Sequence, residues 1–425
     1  MDYRTLLIDS FNTAVAAADP LKIVAAHLPP PPSGRTLVVG AGKAAASMAR
    51  AVERHWPAEA PLEGLVITRY GHGLPCERID VVEAGHPVPD EAGERAAAAI
   101  LRRAASLHGD DLLLVLVSGG GSSLLSLPVE GVLREDLETV TRALLKSGAP
   151  IQQMNVVRKH LSRIQGGRLA EATRAQVRAM VISDVAGDDL SAIASGPCAP
   201  DPSTYAEALD VLGRWDVAAP ASVARVLRAG AAGELPETPK PGDPLFARVR
   251  NDLVATAHRS LEAGAAVFEA QGVRAAILGD TVTGEAREVA QVMAALAREI
   301  AAYDAPLARP VVLVSGGECT VTVRGKGRGG RCAEFLLALA AEFDGLPGAW
   351  AIAADTDGID GVEDNAGALL GPDSLARARK AGLDARGMLD DNDAWRFFSA
   401  LEDLVVTGPT RTNVNDYRAI LLLPA

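Results

Sequence analysis

Short apolar runs that pass directly into glycine-rich turns are the feature of this sequence that most constrains its fold. Residues 36–39 run into GAGK at residues 40–43, and a helical pattern follows over residues 44–55. Residues 111–117 are almost wholly apolar and end in SGGGSS at residues 118–123. Nearly continuous apolar strands are typical of parallel sheets that are covered on both faces. Because strand, turn and helix in this order form half of a βαβ unit, the sequence predicts an α/β fold.

The length of 425 residues favours two domains, each with its own core. Residues 230–245 are rich in proline and poor in apolar side chains, which predicts a domain boundary there. We therefore expect an N-terminal domain over residues 1–238 and a C-terminal domain over residues 239–425.

The net charge of −12 argues against nucleic acid or an anionic membrane surface as the main partner. The first residues lack the basic segment of a signal peptide, and no apolar run reaches the roughly 18 residues of a membrane span. The four cysteines are far apart in sequence, which fits a reducing compartment. These observations predict a cytoplasmic protein.

The first glycine turn has the G-x-G-x-x-A pattern of dinucleotide-binding proteins. The next strand, residues 64–68, is followed by Arg69 instead of the acid that NAD requires, although an arginine suits NADP. Lys43 lies in the turn at the start of a helix, where it can hold an anion. The alternative is an exposed surface lysine.

A second glycine-rich segment begins where the apolar run of residues 310–314 meets Ser315, Gly316 and Gly317. Residues 324–331 then alternate glycine with four cations and contain no acid. Glycine lets backbone N–H groups approach an anion and the cations supply charge, so this loop predicts a phosphate or carboxylate site. The alternative is a solvated basic hairpin. The loop at residues 118–123 adds hydroxyl groups suited to phosphate, although a tight turn also explains it.

Two groups of aspartates follow predicted strands. Asp184, Asp188 and Asp189 come after residues 179–183, and Asp355 with Asp357 follows residues 350–354. Carboxylates at strand ends lie where open α/β sheets bind ligands, so they are candidates for a base or a metal site. Helix capping and Asx turns are the alternatives.

His86 and the basic segment at residues 155–170 have two interpretations each. His86 is a candidate base, but turn chemistry explains the loop GHPVPD nearly as well. The basic segment carries Arg158, Lys159 and Arg163 in a predicted helix, where they mark either a binding site or a solvated face.

Seven motifs together resemble the glycerate 2-kinase family, whose C-terminal half is the MOFRL domain. In order they are GAGKAAASMA (40–49), VSGGGSSLL (117–125), NVVRKHLSRIQGGRLA (155–170), ISDVAGDDLSAIASGP (182–197), SGGECTVTVRGKGRGGR (315–331), ADTDGIDG (354–361) and TGPTRTNVNDY (407–417). The resemblance implies a Rossmann-like N-terminal domain with a parallel sheet, a MOFRL-type α/β domain, and an active site in the cleft between them. It also implies transfer of phosphate from ATP, with Mg²⁺, to the 2-hydroxyl of D-glycerate, and a possible homodimer.

The resemblance also assigns site residues. Lys43 would offset charge on the transferred phosphoryl group, Asp184 would orient the 2-hydroxyl or hold Mg²⁺, and Arg331 would clamp the carboxylate with its two-pronged guanidinium. The residues expected to bind substrate or phosphate are Ser118, Gly119, Gly120, Gly121, Ser122, Ser123, Ser315, Gly316, Gly317, Glu318, Lys326 and Arg328. The residues expected to bind the metal are Asp184, Asp189, Asp355 and Asp357.

The sequence departs from the family pattern in two places. Cys332 and Ala333 stand where relatives commonly carry Asn-Gln or Asn-Ala, and Arg411 stands where they commonly carry glycine. Both leave the preference for substrate or nucleotide open. The alternative functions are an NADP-dependent hydroxypyruvate reductase, supported by the G-x-G-x-x-A turn and Arg69, and an anion sensor that binds ligand without turnover.

Overall fold

The computed structural model describes residues 2–424 and divides into two compact units. The N-terminal unit comprises residues 20–254, and the C-terminal unit joins the chain from residue 255 onward with the first helix, α1 (Tyr3–Ala16). The boundary predicted after residue 238 lies before this division. The reason is that Thr238 donates a hydrogen bond to Asp201 inside the N-terminal unit, and the strand at residues 249–255 still belongs to its sheet.

The N-terminal unit contains a six-stranded sheet in the order β3-β2-β1-β4-β5-β6. The strands are β1 (Thr36–Ala41), β2 (Leu62–Arg69), β3 (Ile79–Ala84), β4 (Leu112–Val117), β5 (Gln176–Ile182) and β6 (Val249–Ala255). The first five are parallel, as predicted. The strand order reverses between β1 and β4, and such a switch point is where open α/β sheets bind ligands at the carboxyl ends of their strands.

The described part of the N-terminal unit also contains nine α-helices. They are α2 (Pro20–Ile23), α3 (Ala45–His55), α4 (Glu91–Ala105), α5 (Gly121–Leu124), α6 (Arg134–Ser147), α7 (Ile151–His160), α8 (Arg168–Glu171), α9 (Tyr205–Arg214) and α10 (Ala221–Ala231). α1 and α2 are separate helices, because Pro20 lacks the N–H that helix continuation needs and instead starts α2. The helix predicted over residues 155–170 ends early, at His160.

The C-terminal unit contains a mixed sheet in the order β13-β12-β11-β14-β9-β7 and a short parallel pair, β8 with β10. Its strands are β7 (Arg274–Gly279), β8 (Gly284–Glu285), β9 (Val311–Gly317), β10 (Cys319–Thr320), β11 (Ala349–Asp355), β12 (Gly367–Leu370), β13 (Leu404–Val405) and β14 (Asp416–Leu422). Its further helices are α11 (Ala257–Glu269), α12 (Ala286–Tyr303), α13 (Arg331–Phe343), α14 (Ser374–Lys380), α15 (Ala385–Asp390) and α16 (Ala394–Ala400). The helix α11 starts directly after the N-terminal unit's last strand, because β6 runs to Ala255 and the Thr256 side chain caps α11.

The helix α1 packs in the core of the C-terminal unit. Its Leu7 and Phe11 are fully buried and belong to one apolar cluster with Leu261 and Phe268 of α11. Each such side chain contributes about 1.5–3 kcal/mol when it leaves water. Within residues 2–424 no helix has the length and apolar character needed to cross a bilayer.

Candidate active site

The turns after β1 and β4 meet at the switch point of the N-terminal sheet. The backbone N–H of Lys43 donates to the carbonyl of Gly119 at 2.8 Å, and the N–H of Ala44 donates to the Ser118 hydroxyl at 3.0 Å. The N–H of Ser118 donates back to the carbonyl of Ala41 at 3.2 Å. These three bonds hold Lys43 beside the hydroxyl-rich loop at residues 118–123, so the structure brings together two predicted parts of the site.

Two glycines are required for this close approach. Gly42 has φ +142°, and a methyl group there would lie 2.1 Å from the Ser118 hydroxyl oxygen. Gly120 has φ +79°, and a methyl group there would lie 2.8 Å from Nε2 of His86. The His86 ring therefore lies against the loop at residues 118–123. The structure thus brings His86 to the switch point. The sequence of its loop alone could not distinguish a functional role for this histidine from turn chemistry.

The backbone N–H groups of the G-x-G-x-x-A turn form hydrogen bonds within the protein. The N–H of Gly42 donates to Ile67, that of Lys43 to Gly119, and that of Ala44 to Ser118. A dinucleotide pyrophosphate binds through such N–H groups at the start of the helix. Since Ser118 and Gly119 already take those donors, the turn does not present the surface that a dinucleotide needs.

Four polar side chains form a chain of hydrogen bonds next to the hydroxyl loop. The hydroxyl groups of Ser122 and Ser195 lie 2.9 Å apart, and Ser195 donates to the Asn155 side-chain oxygen at 3.3 Å. The Arg158 guanidinium donates to the same oxygen at 2.7 Å. Burial lowers the pKa of Arg158 to about 10. Asn155 and Ser195 had no signal of their own in the sequence, because they come from segments that are distant from the loop in the chain.

The basic segment near Arg158 is not a solvated face. Lys159 is buried and forms a 2.6 Å ion pair with Asp201, which also accepts bonds from Ser203 and Thr238. These partners lower the pKa of Asp201 against the opposing effect of burial. Of the three cations predicted there, only Arg163 is exposed, while Arg158 is half-buried.

Asp184 follows β5, which lies parallel to β4, so it reaches the same sheet edge as Ser118. Asp184 is half-buried, and Asp189 is exposed with its carboxylate accepting the N–H of Ser191 at 2.8 Å. Among residues 2–424 no three carboxylate, histidine or cysteine side chains lie together as a metal site. A magnesium ion held here would therefore take most of its ligands from phosphate and water, as Mg²⁺ commonly does.

Arg331 lies between three carboxylates in the C-terminal unit. Its guanidinium contacts Asp416 at 2.8 Å, Asp355 at 2.6 Å and Glu318 at 3.4 Å. Burial disfavours its charge, but Asp416 and Asp355 outweigh that effect and raise the pKa of Arg331. The guanidinium N–H groups that were predicted to clamp a substrate carboxylate thus bind the protein's own aspartates.

The glycines of the basic loop pack against a distant segment of the chain. A methyl group on Gly325 would lie 2.3 Å from the carbonyl of Asp391, and one on Gly327 would lie 2.5 Å from Asp393. The loop N–H groups are also used: Lys326 donates to the Asp391 carboxylate at 3.0 Å and Arg328 to the Asp393 carboxylate at 3.1 Å. The backbone of residues 324–328 is therefore bound to the segment at residues 391–393. The exposed side chains of the loop remain candidates for contacts with phosphate.

Other predicted binding residues of the C-terminal unit have structural partners. Arg328 is ion-paired with Glu363 and stacks over the Trp395 ring at 4.1 Å, whereas Lys326 is exposed. Ser315, Gly316 and Gly317 belong to β9 and pair with β14, so they form a strand end where the sequence predicted a turn. A methyl group on Gly317 would lie 2.4 Å from the carbonyl of Val282, which explains the glycine by packing.

The second aspartate group forms local turns and a helix cap. The Asp355 carboxylate accepts the N–H of Asp357 at 2.9 Å, and Asp357 accepts the N–H of Ile359 at 2.9 Å. This is the Asx-turn alternative. The buried Asp360 accepts the N–H groups of Cys332 and Ala333 at 3.0 and 2.8 Å at the start of α13. Burial raises its pKa to about 6 despite these bonds.

The two departures from the family pattern have different structural settings. Cys332 is fully buried in the apolar core of the C-terminal unit, and burial raises the pKa of its thiol. Arg411 has φ +59°, which is in the left-handed region that glycine adopts without strain. An arginine at this turn therefore holds a backbone conformation that is less favourable in free energy than it would be for glycine.

Comparison with known proteins covers both units. A sequence profile for a domain of unknown function, DUF4147, matches residues 6–228, and that of the MOFRL family matches residues 311–416. A provisionally named hydroxypyruvate reductase of Agrobacterium vitis is 50% identical over 99% of this chain and 94% of its own length. The glycerate 2-kinase of Pyrococcus horikoshii is 39% identical over 98% of this chain and 96% of its own length. The crystal structure of glycerate kinase from Thermotoga maritima superposes with a TM-score of 0.88 at 36% identity, covering 99% of both chains.

Proposed function

The chain belongs to the glycerate 2-kinase family, and from this membership we propose that it transfers the γ-phosphoryl group of ATP to the 2-hydroxyl of D-glycerate. The observation that carries the proposal is full-length similarity to two glycerate 2-kinases, at 39% and 38% identity. The N-terminal unit adds a physical argument, because Lys43 and the hydroxyl loop lie together at the switch point of a parallel sheet.

The reaction forms a bond between the glycerate 2-oxygen and the γ-phosphorus and breaks the bond to the β–γ bridging oxygen. The 2-hydroxyl proton leaves, and ADP and 2-phospho-D-glycerate are the products. Lys43 offsets negative charge on the transferred group, and the hydroxyls of Ser122 and Ser123 contact phosphate oxygens. Asp184 orients the 2-hydroxyl and accepts its proton. These roles stand as proposals, as do those of Lys326, Arg328 and Glu318 in contacting substrate or nucleotide.

ATP and Mg²⁺ are the proposed cofactors, and Asp184 with Asp189 are the residues proposed to contact the metal. When bound, the metal would neutralise charge on the β- and γ-phosphates. Asp355 and Asp357 fit this role poorly, since Asp355 binds Arg331 and both carboxylates accept backbone N–H groups. A cytoplasmic location and a homodimer are further predictions from the family.

Reduction of hydroxypyruvate is the second candidate, because the Agrobacterium vitis relative carries that name. The argument against it is geometric. Ser118 and Gly119 occupy the N–H groups of Ala44 and Lys43 that a dinucleotide pyrophosphate would need.

The test is to incubate the purified protein with D-glycerate, ATP and Mg²⁺ and to follow ADP release, with the product identified by phosphorus NMR. A parallel reaction contains hydroxypyruvate and NADPH. We expect ADP and a 2-phosphoglycerate signal in the first reaction and no loss of NADPH in the second. Consumption of NADPH without ADP release would refute the kinase proposal.

A further inference from the structure

The Arg158 guanidinium differs in its partner from four other arginines that are half-buried or buried in this structure. Arg331, Arg287, Arg377 and Arg418 all form ion pairs with buried carboxylates. Arg158 donates only to the neutral amide oxygen of Asn155. Placing a cation in a partly desolvated site without an anion costs free energy, so such a side chain is suited to a ligand that brings the negative charge.

The surroundings of Arg158 are held in one arrangement. Asn155 is buried, and its amide nitrogen donates to the carbonyl of Ala192 at 3.5 Å, which turns its oxygen toward Arg158 and Ser195. Ala194 and Ser195 have φ of +50° and +58°, a left-handed conformation that costs non-glycine residues about 1–3 kcal/mol each. Strain of this kind persists where the surrounding structure fixes it, and it is concentrated at ligand sites.

This cluster borders the loop that is proposed to hold phosphate. The Ser195 hydroxyl contacts Ser122 at 2.9 Å, and Ser122 also receives a bond from the Gln165 side chain at its carbonyl, at 2.8 Å. In D-glycerate the carboxylate is bonded directly to the carbon that carries the reacting 2-hydroxyl. The binding site for the carboxylate must therefore adjoin the phosphate loop. The hydrogen-bonded side chains that lead from Ser122 through Ser195 and Asn155 to Arg158 meet that condition.

We propose that Arg158, fixed by Asn155 and adjoining Ser122 and Ser195, binds the carboxylate of D-glycerate. The proposal rests on the kinase function given above and replaces Arg331 in this role, because Asp355 and Asp416 already take the Arg331 guanidinium. A guanidinium binds a planar carboxylate through two parallel hydrogen bonds, whereas lysine offers a point charge. The Ser195 hydroxyl, between Ser122 and Asn155, is suited to a hydroxyl group of the same substrate.

The experiment compares Arg158→Gln and Arg158→Lys with the control Arg163→Gln in the full chain. Arg163 is exposed, so its variant makes the same charge change outside the cluster. We expect Arg158→Gln to raise KM for D-glycerate on the order of 10- to 100-fold, which corresponds to the loss of a charge-assisted hydrogen-bonded pair. Arg158→Lys should recover only part of this loss, and KM for ATP should change less than about twofold in every variant.

Stability and direct binding separate this role from a structural one. Removing a cation that has no carboxylate partner should leave the melting temperature of Arg158→Gln equal to or above that of the wild type. Titration calorimetry with D-glycerate alone, without ATP, should show that Arg158→Gln binds D-glycerate more weakly than the wild type does, by the same factor as the rise in KM. The control variant should match the wild type in KM, melting temperature and calorimetric affinity.

Three results would overturn the proposal: an unchanged KM for D-glycerate, a rise in KM for ATP instead, or a lower melting temperature with equal loss of affinity for both substrates. The second would assign Arg158 to nucleotide phosphate. Each of these requires a wild-type enzyme that phosphorylates D-glycerate. If the wild type releases no ADP with D-glycerate, the proposed function itself is wrong, and the two failures are thereby distinguished.

Discussion

Replacing Gly42 by alanine should separate the two loops that hold Lys43 beside Ser118. The new methyl group would lie 2.1 Å from the Ser118 hydroxyl oxygen and 2.5 Å from its carbonyl oxygen. Ordinary contacts are about 3.5 Å, so the loops must move apart by about 1 Å or more. The positive φ of +142° adds strain for any residue with a side chain.

The expected loss of stability is about 3–6 kcal/mol, from overpacking of about 1–3, backbone strain of about 1–2 and the weakened bond from Ala44 to Ser118 of about 1. We also expect kcat to fall about 100-fold, since a displacement of 1 Å at a reacting group has that order of effect. Urea unfolding followed by circular dichroism and steady-state ADP release measure the two quantities.

The matched control is Gly71→Ala. Gly71 also has positive φ, +80°, but a methyl group there meets no atom within 4 Å. It should cost only about 1 kcal/mol and leave kcat unchanged. Adding Ser118→Ala to Gly42→Ala should recover part of the stability, because the nearest clash is removed. If the two glycine variants lose equal stability and keep equal activity, the reasoning about loop contact is refuted.

Three further predictions concern the C-terminal unit. Arg411→Gly should raise stability by about 0.5–1 kcal/mol because it removes left-handed strain, whereas Arg411→Ala should give no gain, as measured by urea unfolding. The stability of the wild type relative to Asp360→Asn should fall by about 2 kcal/mol as pH rises from about 4 to about 6, since the folded state holds a proton there that the unfolded state has lost. A difference in unfolding free energy between the two proteins that stays constant across that range would contradict this. Arg331→Gln should lower stability by about 3–5 kcal/mol, because it leaves the buried Asp355 and Asp416 without this partner, and an unchanged unfolding midpoint would disprove that pairing role.

The parallel sheet and the first half of the site could be predicted from the sequence because their signals are local. An apolar strand, a glycine turn and a helix follow one another at Gly42 and again at Ser118. In a parallel sheet the ends of neighbouring strands meet at one edge, so the proximity of Lys43 and Ser118 follows from the pattern.

The remaining features of the site could not be predicted, because they depend on contacts between segments that are far apart in the sequence. The glycines at 325 and 327 suggested an anion cradle, but their reason is the packing of residues 391–393, which no local pattern indicates. Arg331 had the residue type of a carboxylate clamp, yet folding brings Asp355 and Asp416 to it from two other strands. Asn155 and Ser195 meet Ser122 in the same way, through tertiary structure alone.

The placement of α1 in the C-terminal unit has a consequence for folding during synthesis. The ribosome makes α1 before the N-terminal unit, but its partner α11 emerges only after that whole unit has been translated. Until then Leu7 and Phe11 lack the surface that buries them, while the N-terminal unit is already able to fold behind them. During synthesis the apolar face of α1 therefore stays exposed until α11 is made, and we expect chaperones that bind nascent chains to contact α1 in that interval.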